Sequence, residues 1–279
     1  MEWLQRKAGL EPIDRLFSPD FDLRDWPGEK GHWQRWLLRG GFPPAVAIET
    51  DRDRGLWFAA YVQTYLERDL RQLSDVASLP DFQRLMALAA NRTAKLLNQA
   101  DLSRDAALSH PTAHRYLNLL ETGCLITRIR PFTTNPSSAI VKAPKLLWAD
   151  CGLAAWLAGI RTLEEIDKRL DSGFWLEQTI YQTLQSWRAL DPTNRRIHYW
   201  RDRAGHEVDF ILEENGKLVA IEIKSSSQVS LSDTTGIRTF KGVLKKSHRL
   251  VCGVVLHAGK ARPLDKDLFA LPWGWMVRD

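Results

Sequence analysis

Apolar residues recur with helical spacing over the first two thirds of the chain and with strand spacing later. Leu56, Phe58, Tyr61, Tyr65 and Leu66 mark an amphipathic helix over about 56–73. It follows a Pro- and Asp-rich opening, SPDFDLRDWPGEKG, and the run GGFPPA. Helical runs continue near 81–98 and 99–108. Ser109 then stands as an N-cap before His110-Pro111-Thr112, where a first-turn proline loses no hydrogen bond. Tyr116, Leu117, Leu119 and Leu120 form that helix's apolar stripe, and Gly123 ends it. Strand-like stretches at 125–132 and 140–148 enclose TTNPSSA, a flexible wing. Helix, turn, helix, wing is the winged-helix order.

Beyond it the period changes. A helix over 173–188 carries Leu176, Ile180, Leu184 and Trp187 on one side, and strands are predicted at 197–201, 207–213, 218–224 and 250–256, with a basic helix near 233–246. The expected class is therefore α+β: a helical and winged-helix region, then an α/β domain. The predicted modules are a helical lead-in over 1–79, a winged helix over 80–158 and the α/β domain over 159–279. No internal repeat is visible.

Composition narrows this little. The 279 residues are 44% hydrophobic and 26% charged, values of a folded chain rather than a disordered one. Net charge is +5, and residues 80–150 hold nine Lys and Arg against five Asp and Glu, so the winged-helix segment is the basic part. There is no signal-like apolar run and no window approaching ~18 apolar residues, which predicts a cytoplasmic protein. Cys124, Cys151 and Cys252 lack metal-ligand spacing and are expected to be buried free thiols. The histidines form no ligand pair, and most of the twelve tryptophans sit in periodic apolar stretches, as core residues do.

The candidate chemistry lies in Glu207 to Lys224. Asn215-Gly216 is the favoured two-residue hairpin turn, and if it is the loop, Asp209 lies directly opposite Glu222 and Glu207 opposite Lys224. Regular alternation puts Asp209, Glu222 and Lys224 on one face and Val208, Phe210, Ile221 and Ile223 on the other. Two carboxylates ~5 Å apart are destabilising unless a cation or a shared proton neutralises them. Glu177, beside the apolar stripe of the 173–188 helix, offers a third carboxylate that needs a partner when buried. Such a set suits Mg²⁺ or Mn²⁺ with Asp209, Glu222 and Glu177 as ligands, and Lys224 orienting water or stabilising developing charge.

Val208-Asp209, then Glu222-Ile223-Lys224, after a helix bearing Glu177, resembles the core of the PD-(D/E)xK endonuclease superfamily, with Val208 where a proline usually stands. GGFP at 40–43, YVQTYLERD at 61–69, the winged-helix stretch, LLWADCGLAAWL at 146–157 and the hairpin together resemble the carboxy-terminal half of a prokaryotic family of AAA-type ATPases. That resemblance implies a restriction-endonuclease-like domain and an ATPase partner. No GxxxxGK(S/T) occurs, so nucleotide binding by that device is not expected.

Two functions stand open at this point. One is Mg²⁺-dependent DNA cleavage through Glu177, Asp209, Glu222 and Lys224. The other is a non-catalytic DNA-binding or regulatory module working with an AAA-type ATPase in cis or trans. In either case His110, Thr112, His114 and Arg115 are the expected groove-facing residues, with Arg128 and Arg130 on phosphates. A second copy of the chain is a further expected partner.

Overall fold

The computed structural model describes residues 10–28, 31–65, 78–133, 143–244 and 248–277. It is α+β: a helical amino-terminal region and a mixed-sheet domain. Its compact units are not sequential segments. One comprises 34–128 and 143–179; the other comprises 1–33, 129–142 and 180–279.

Among the described residues the chain order begins with short helix α1 (Glu11–Arg15), then α2 (Trp33–Arg39), α3 (Pro43–Ala47) and α4 (Asp51–Thr64). Thr50 caps α4 by accepting from Asp53 N–H, so this helix starts earlier than its apolar pattern predicts. Leu56, placed on the predicted stripe, faces outward at 62% exposure, whereas Phe58 and Tyr65 are buried as that stripe implies and Val62 joins them. Residues 66–77, including most of YLERDL, lie outside the described residues.

The 34–128 and 143–179 unit continues with α5 (Leu79–Ala90), α6 (Gln99–Asp105), α7 (His110–Thr122), β1 (Ile126–Ile129) and β2 (Lys145–Trp148), the last two forming a two-stranded sheet. Ser109 caps α7 through Thr112 N–H and Gly123 ends it, as the sequence predicts. Phe82 of α5 packs on Tyr116 of α7 at 4.8 Å, with Leu85, Met86, Leu102, Leu117 and Leu120 completing this core. The predicted wing from Thr134 onward lies outside the described residues. Cys124, expected to be buried, is exposed, because it occupies a left-handed turn (φ +58°) directly after α7.

Two short helices follow, α8 (Cys151–Leu157) and α9 (Leu163–Asp167), and then α10 (Ser172–Leu190), within which the unit boundary falls. Gln178 of α10 is fully buried. Its side chain closes a two-way hydrogen bond with the Trp148 main chain, at 2.8 Å and 2.9 Å, much as a neighbouring strand would.

The second unit is built on a six-stranded sheet ordered β3 (Arg195–Arg201), β4 (Glu207–Glu214), β5 (Lys217–Ile223), β6 (Arg249–His257), β8 (Leu268–Pro272), β7 (Arg262–Asp265). β3, β4 and β5 are antiparallel; β5 runs parallel to β6, and β6 to β8. Helix α11 (Thr235–Val243) makes the β5-to-β6 crossover. Ile237 and Phe240 of α11 pack with Trp200, Val208, Ile211, Leu218 and Ala220 on one face. On the other face Tyr181 of α10 stacks on Phe210 at 5.9 Å.

The described residues 10–28 and 31–33 group with this sheet, whereas the sequence suggests one helical lead-in over 1–79. Trp26 Nε1 donates to Pro272 O at 2.7 Å, Phe17 stacks on Trp187, and Asp14 accepts from both Trp187 Nε1 and buried Arg195. Interactions spanning 170 or more residues of sequence leave no local pattern to read.

Candidate functional site

The hairpin turn is as predicted: Asn215 (φ +51°) and Gly216 (φ +76°) both take the left-handed region that a type I′ turn demands. Phe210 pairs with Ile221 and Ile211 with Ala220, so the predicted register holds. The predicted alternation does not. On the β3 side His198 pairs with Ile211 but Trp200 with Val208, leaving Asp209 and Phe210 together opposite Tyr199. That is a β-bulge, and it reverses the parity of everything before it. Val208 therefore joins Ile211 and Ala220 on the α11 face instead of Phe210 on the α10 face.

The bulge also changes what Asp209 does. The β4–β5 ladder stops at Phe210 and Ile221, and the Asp209 carboxylate accepts the Ile223 N–H at 2.8 Å where a strand carbonyl would otherwise serve. Asp209 is 6% exposed. The two acids thus meet at an opening between strands rather than as a flush cross-strand pair.

Glu222 is the electrostatic centre of the group. Its Oε1 accepts from Lys224 Nζ at 2.8 Å, while Oε2 is buried without any hydrogen-bond partner. Burial first, and then the Asp209 charge, push its pKa up to about 8 against the pull of Lys224. Burial alone would lower the Lys224 ammonium; the hydrogen bond and charge of Glu222, with Asp209 and Asp233, outweigh it and hold its pKa above the ordinary lysine value.

Glu177 is buried, as its place beside the apolar stripe predicts, but its Oε2 accepts from Lys145 Nζ at 2.7 Å. Its charge is balanced by that buried lysine. Glu177 belongs to the 34–128 and 143–179 unit and Asp209 and Glu222 to the other, and among the described residues no three His, Cys, Asp or Glu side chains form a group able to hold a metal. A metal would rest on Asp209 and Glu222. Two carboxylates, one with an orphaned oxygen, still fit Mg²⁺, which commonly keeps several waters and one or two protein carboxylates.

Of the expected nucleic-acid residues, His110, His114, Arg115 and Arg130 are exposed and Thr112 is half-buried. Arg128 differs from expectation: Glu121 and Asn118 take up its guanidinium, with Nε at 2.9 Å from Glu121 and Nη2 at 2.7 Å from Asn118. An adjacent acid competes with any phosphate for that cation. Arg196 and Arg201 of β3 and Arg203 in the turn after it, all exposed, went unremarked in the sequence because they belong to no motif.

The motifs at 40–43 and 149–152 have a structural explanation. Buried Asp150 caps α8 by accepting from Leu153 N–H at 2.7 Å, and receives Gly41 N–H at 2.6 Å and Phe42 N–H at 3.1 Å. Gly40 has φ +71°, and a Cβ there would lie 2.5 Å from Asp150 Oδ1. One carboxylate thus binds two distant stretches of chain.

Two domain families of unknown function match this chain. The first, DUF8612, covers residues 30–164, and the second, DUF4143, covers 172–276. Uncharacterized proteins of Mycobacterium bovis and Mycobacterium tuberculosis are each 27% identical to it over 238 residues, covering 85% of this chain and 52% of theirs. The chain thus spans about half the length of the curated relatives it matches. No solved structure matches it. The Asp150 clamp falls within the DUF8612 match, and Asp209, Glu222 and Lys224 fall within the DUF4143 match. Among the described residues no helix is long and apolar enough to cross a membrane.

Proposed function

We propose that the chain is a Mg²⁺- or Mn²⁺-dependent DNA endonuclease of PD-(D/E)xK type, with Asp209 and Glu222 as metal ligands and Lys224 as the cation beside the scissile phosphate. One observation carries this reading: Glu222 Oε2 is buried with no donor, in a carboxyl driven toward protonation by burial and by Asp209. A hard divalent cation answers both deficits. When bound, such an ion supplies Lewis acidity toward a phosphoryl oxygen and an acidified water.

The chain's own groups divide the remaining work. Asp209 fixes the end of β5 through Ile223 N–H, and Lys224, kept protonated by Glu222, offers positive charge to a pentavalent phosphate or orients the attacking water. Glu177, balanced by Lys145, stands outside the ligand pair in this proposal. DNA is the proposed substrate because α7 carries exposed His110, His114 and Arg115 with half-buried Thr112 on the basic segment, and Arg130 is exposed after it.

The second reading, a non-catalytic DNA-binding or regulatory module, draws on the Lys145–Glu177 pair, which gives Glu177 a counter-ion without any metal. In both readings an AAA-type ATPase, in cis or trans, is the proposed partner. Plasmid and oligonucleotide cleavage with Mg²⁺ or Mn²⁺ separates them. Cleavage by wild type and none by Asp209→Asn supports the enzyme; equal residual activity in both removes it. Calorimetric Mn²⁺ binding that survives Glu222→Gln undiminished removes the metal centre.

A further inference from the structure

Lys224 is the first residue past β5, and its main chain is pinned on both sides by strands that follow it. Its N–H donates to Leu256 O of β6 at 2.8 Å, and its carbonyl accepts from the indole Nε1–H of Trp273 at 3.2 Å. Trp273 directly follows β8, is 6% exposed, and donates its own N–H to His257 O at 3.1 Å. His257 is 1% exposed; Nε2 lies 3.2 Å from Lys260 O, and Nδ1 lies 3.2 Å from Gly259 N and 3.3 Å from Ser227 O. Burial holds its pKa below the ordinary histidine value against the pull of the Ser227 and Lys260 carbonyls, and both ring nitrogens are engaged by main-chain atoms. The ends of β6 and β8 therefore form a rigid frame around one peptide unit.

That peptide needs a frame. After Lys224 the chain runs into Ser225-Ser226-Ser227, which belongs to no strand or helix. A peptide at a strand end is free to turn about its flanking torsions, and turning it redirects the side chain. We propose that Trp273 is a positioning residue for Lys224: its indole N–H fixes the Lys224 carbonyl and so aims the ammonium at Glu222. The role in cleavage rests on the nuclease reading above; the aiming of the lysine does not.

The test is a double-mutant cycle with Trp273→Phe and Lys224→Ala. Substituting Trp273 with benzothienylalanine, which keeps the ring shape and replaces N–H by sulfur, serves as the second variant should the phenylalanine protein misfold. Loss of the donor is expected to lower kcat about ten- to hundredfold with KM for DNA little changed, and to cost nothing further in the Lys224→Ala background. Losses that multiply across the cycle overturn the proposal, because they mean Trp273 acts through general stability. A second arm needs no turnover: crystal structures of wild type and of the benzothienylalanine protein compare the Lys224 Nζ–Glu222 Oε1 contact, 2.8 Å here, which is expected to open without the indole donor. An unchanged contact overturns the proposal. If wild type cleaves nothing, the nuclease reading falls, and this arm alone decides the positioning role.

Discussion

Asp150 and Glu222 are both buried carboxyls whose pKa burial raises, yet their surroundings differ in one decisive respect. Asp150 receives main-chain N–H groups from Gly41, Phe42 and Leu153 and is built into the chain as a clamp. Glu222 faces another acid, holds one lysine and keeps one oxygen unmatched. A satisfied buried carboxylate reads as architecture; an unsatisfied one, kept despite its cost, reads as chemistry awaiting a ligand.

Four measurements press on that contrast. The largest effect is expected at the unsatisfied acid: Asp209→Asn or Glu222→Gln should lower cleavage on the order of 10²- to 10³-fold while the protein stays folded, as circular dichroism will show. Next comes Asp150→Ala, which strands three N–H donors and uncaps α8. Urea titration should show a loss of about 3–5 kcal/mol, whereas a loss under about 1 kcal/mol contradicts the clamp.

Third is pH. The Glu222 carboxyl, at about 8 in the folded chain against 4.5 ordinarily, holds a proton that the unfolded chain releases. Its stabilising contribution is complete below about pH 4.5 and is lost as pH rises through 8. Wild type should therefore lose Tm over that window relative to Glu222→Gln, by roughly 5 °C at pH 9, and Mg²⁺ should restore it in wild type only. Parallel Tm curves contradict the assignment. The smallest effect concerns DNA: Arg115→Ala should weaken duplex binding several-fold and flatten its salt dependence, whereas Arg128→Ala, already engaged by Glu121 and Asn118, should change it less than twofold.

Much of this was legible in advance where the cause is local. Asn215-Gly216 dictates its own turn and hence the register of β4 on β5, and Ser109-His110-Pro111 announces the start of α7. The bulge at Asp209-Phe210 was hidden because Phe210, Ile211 and Leu212 are all buried: a sheet covered on both faces erases the polar alternation that would betray a parity change. Strands β7 and β8 were missed for a related reason. They are short and carry Pro263 and Pro272, which weaken a strand pattern. Lys145 as the counter-ion of Glu177, and Asp150 as the anchor of Gly41 and Phe42, were invisible because each partner lies 30 or more residues away.

The indole brace reaches back 49 residues, from Trp273 to Lys224. During synthesis the hairpin with both acids clears the ribosome before β6 and β8 are free to close over its end. A nascent chain thus carries the acidic pair without its aimed lysine, and such non-local pairings form late. Assembly order itself would then withhold the aimed lysine until the sheet is complete.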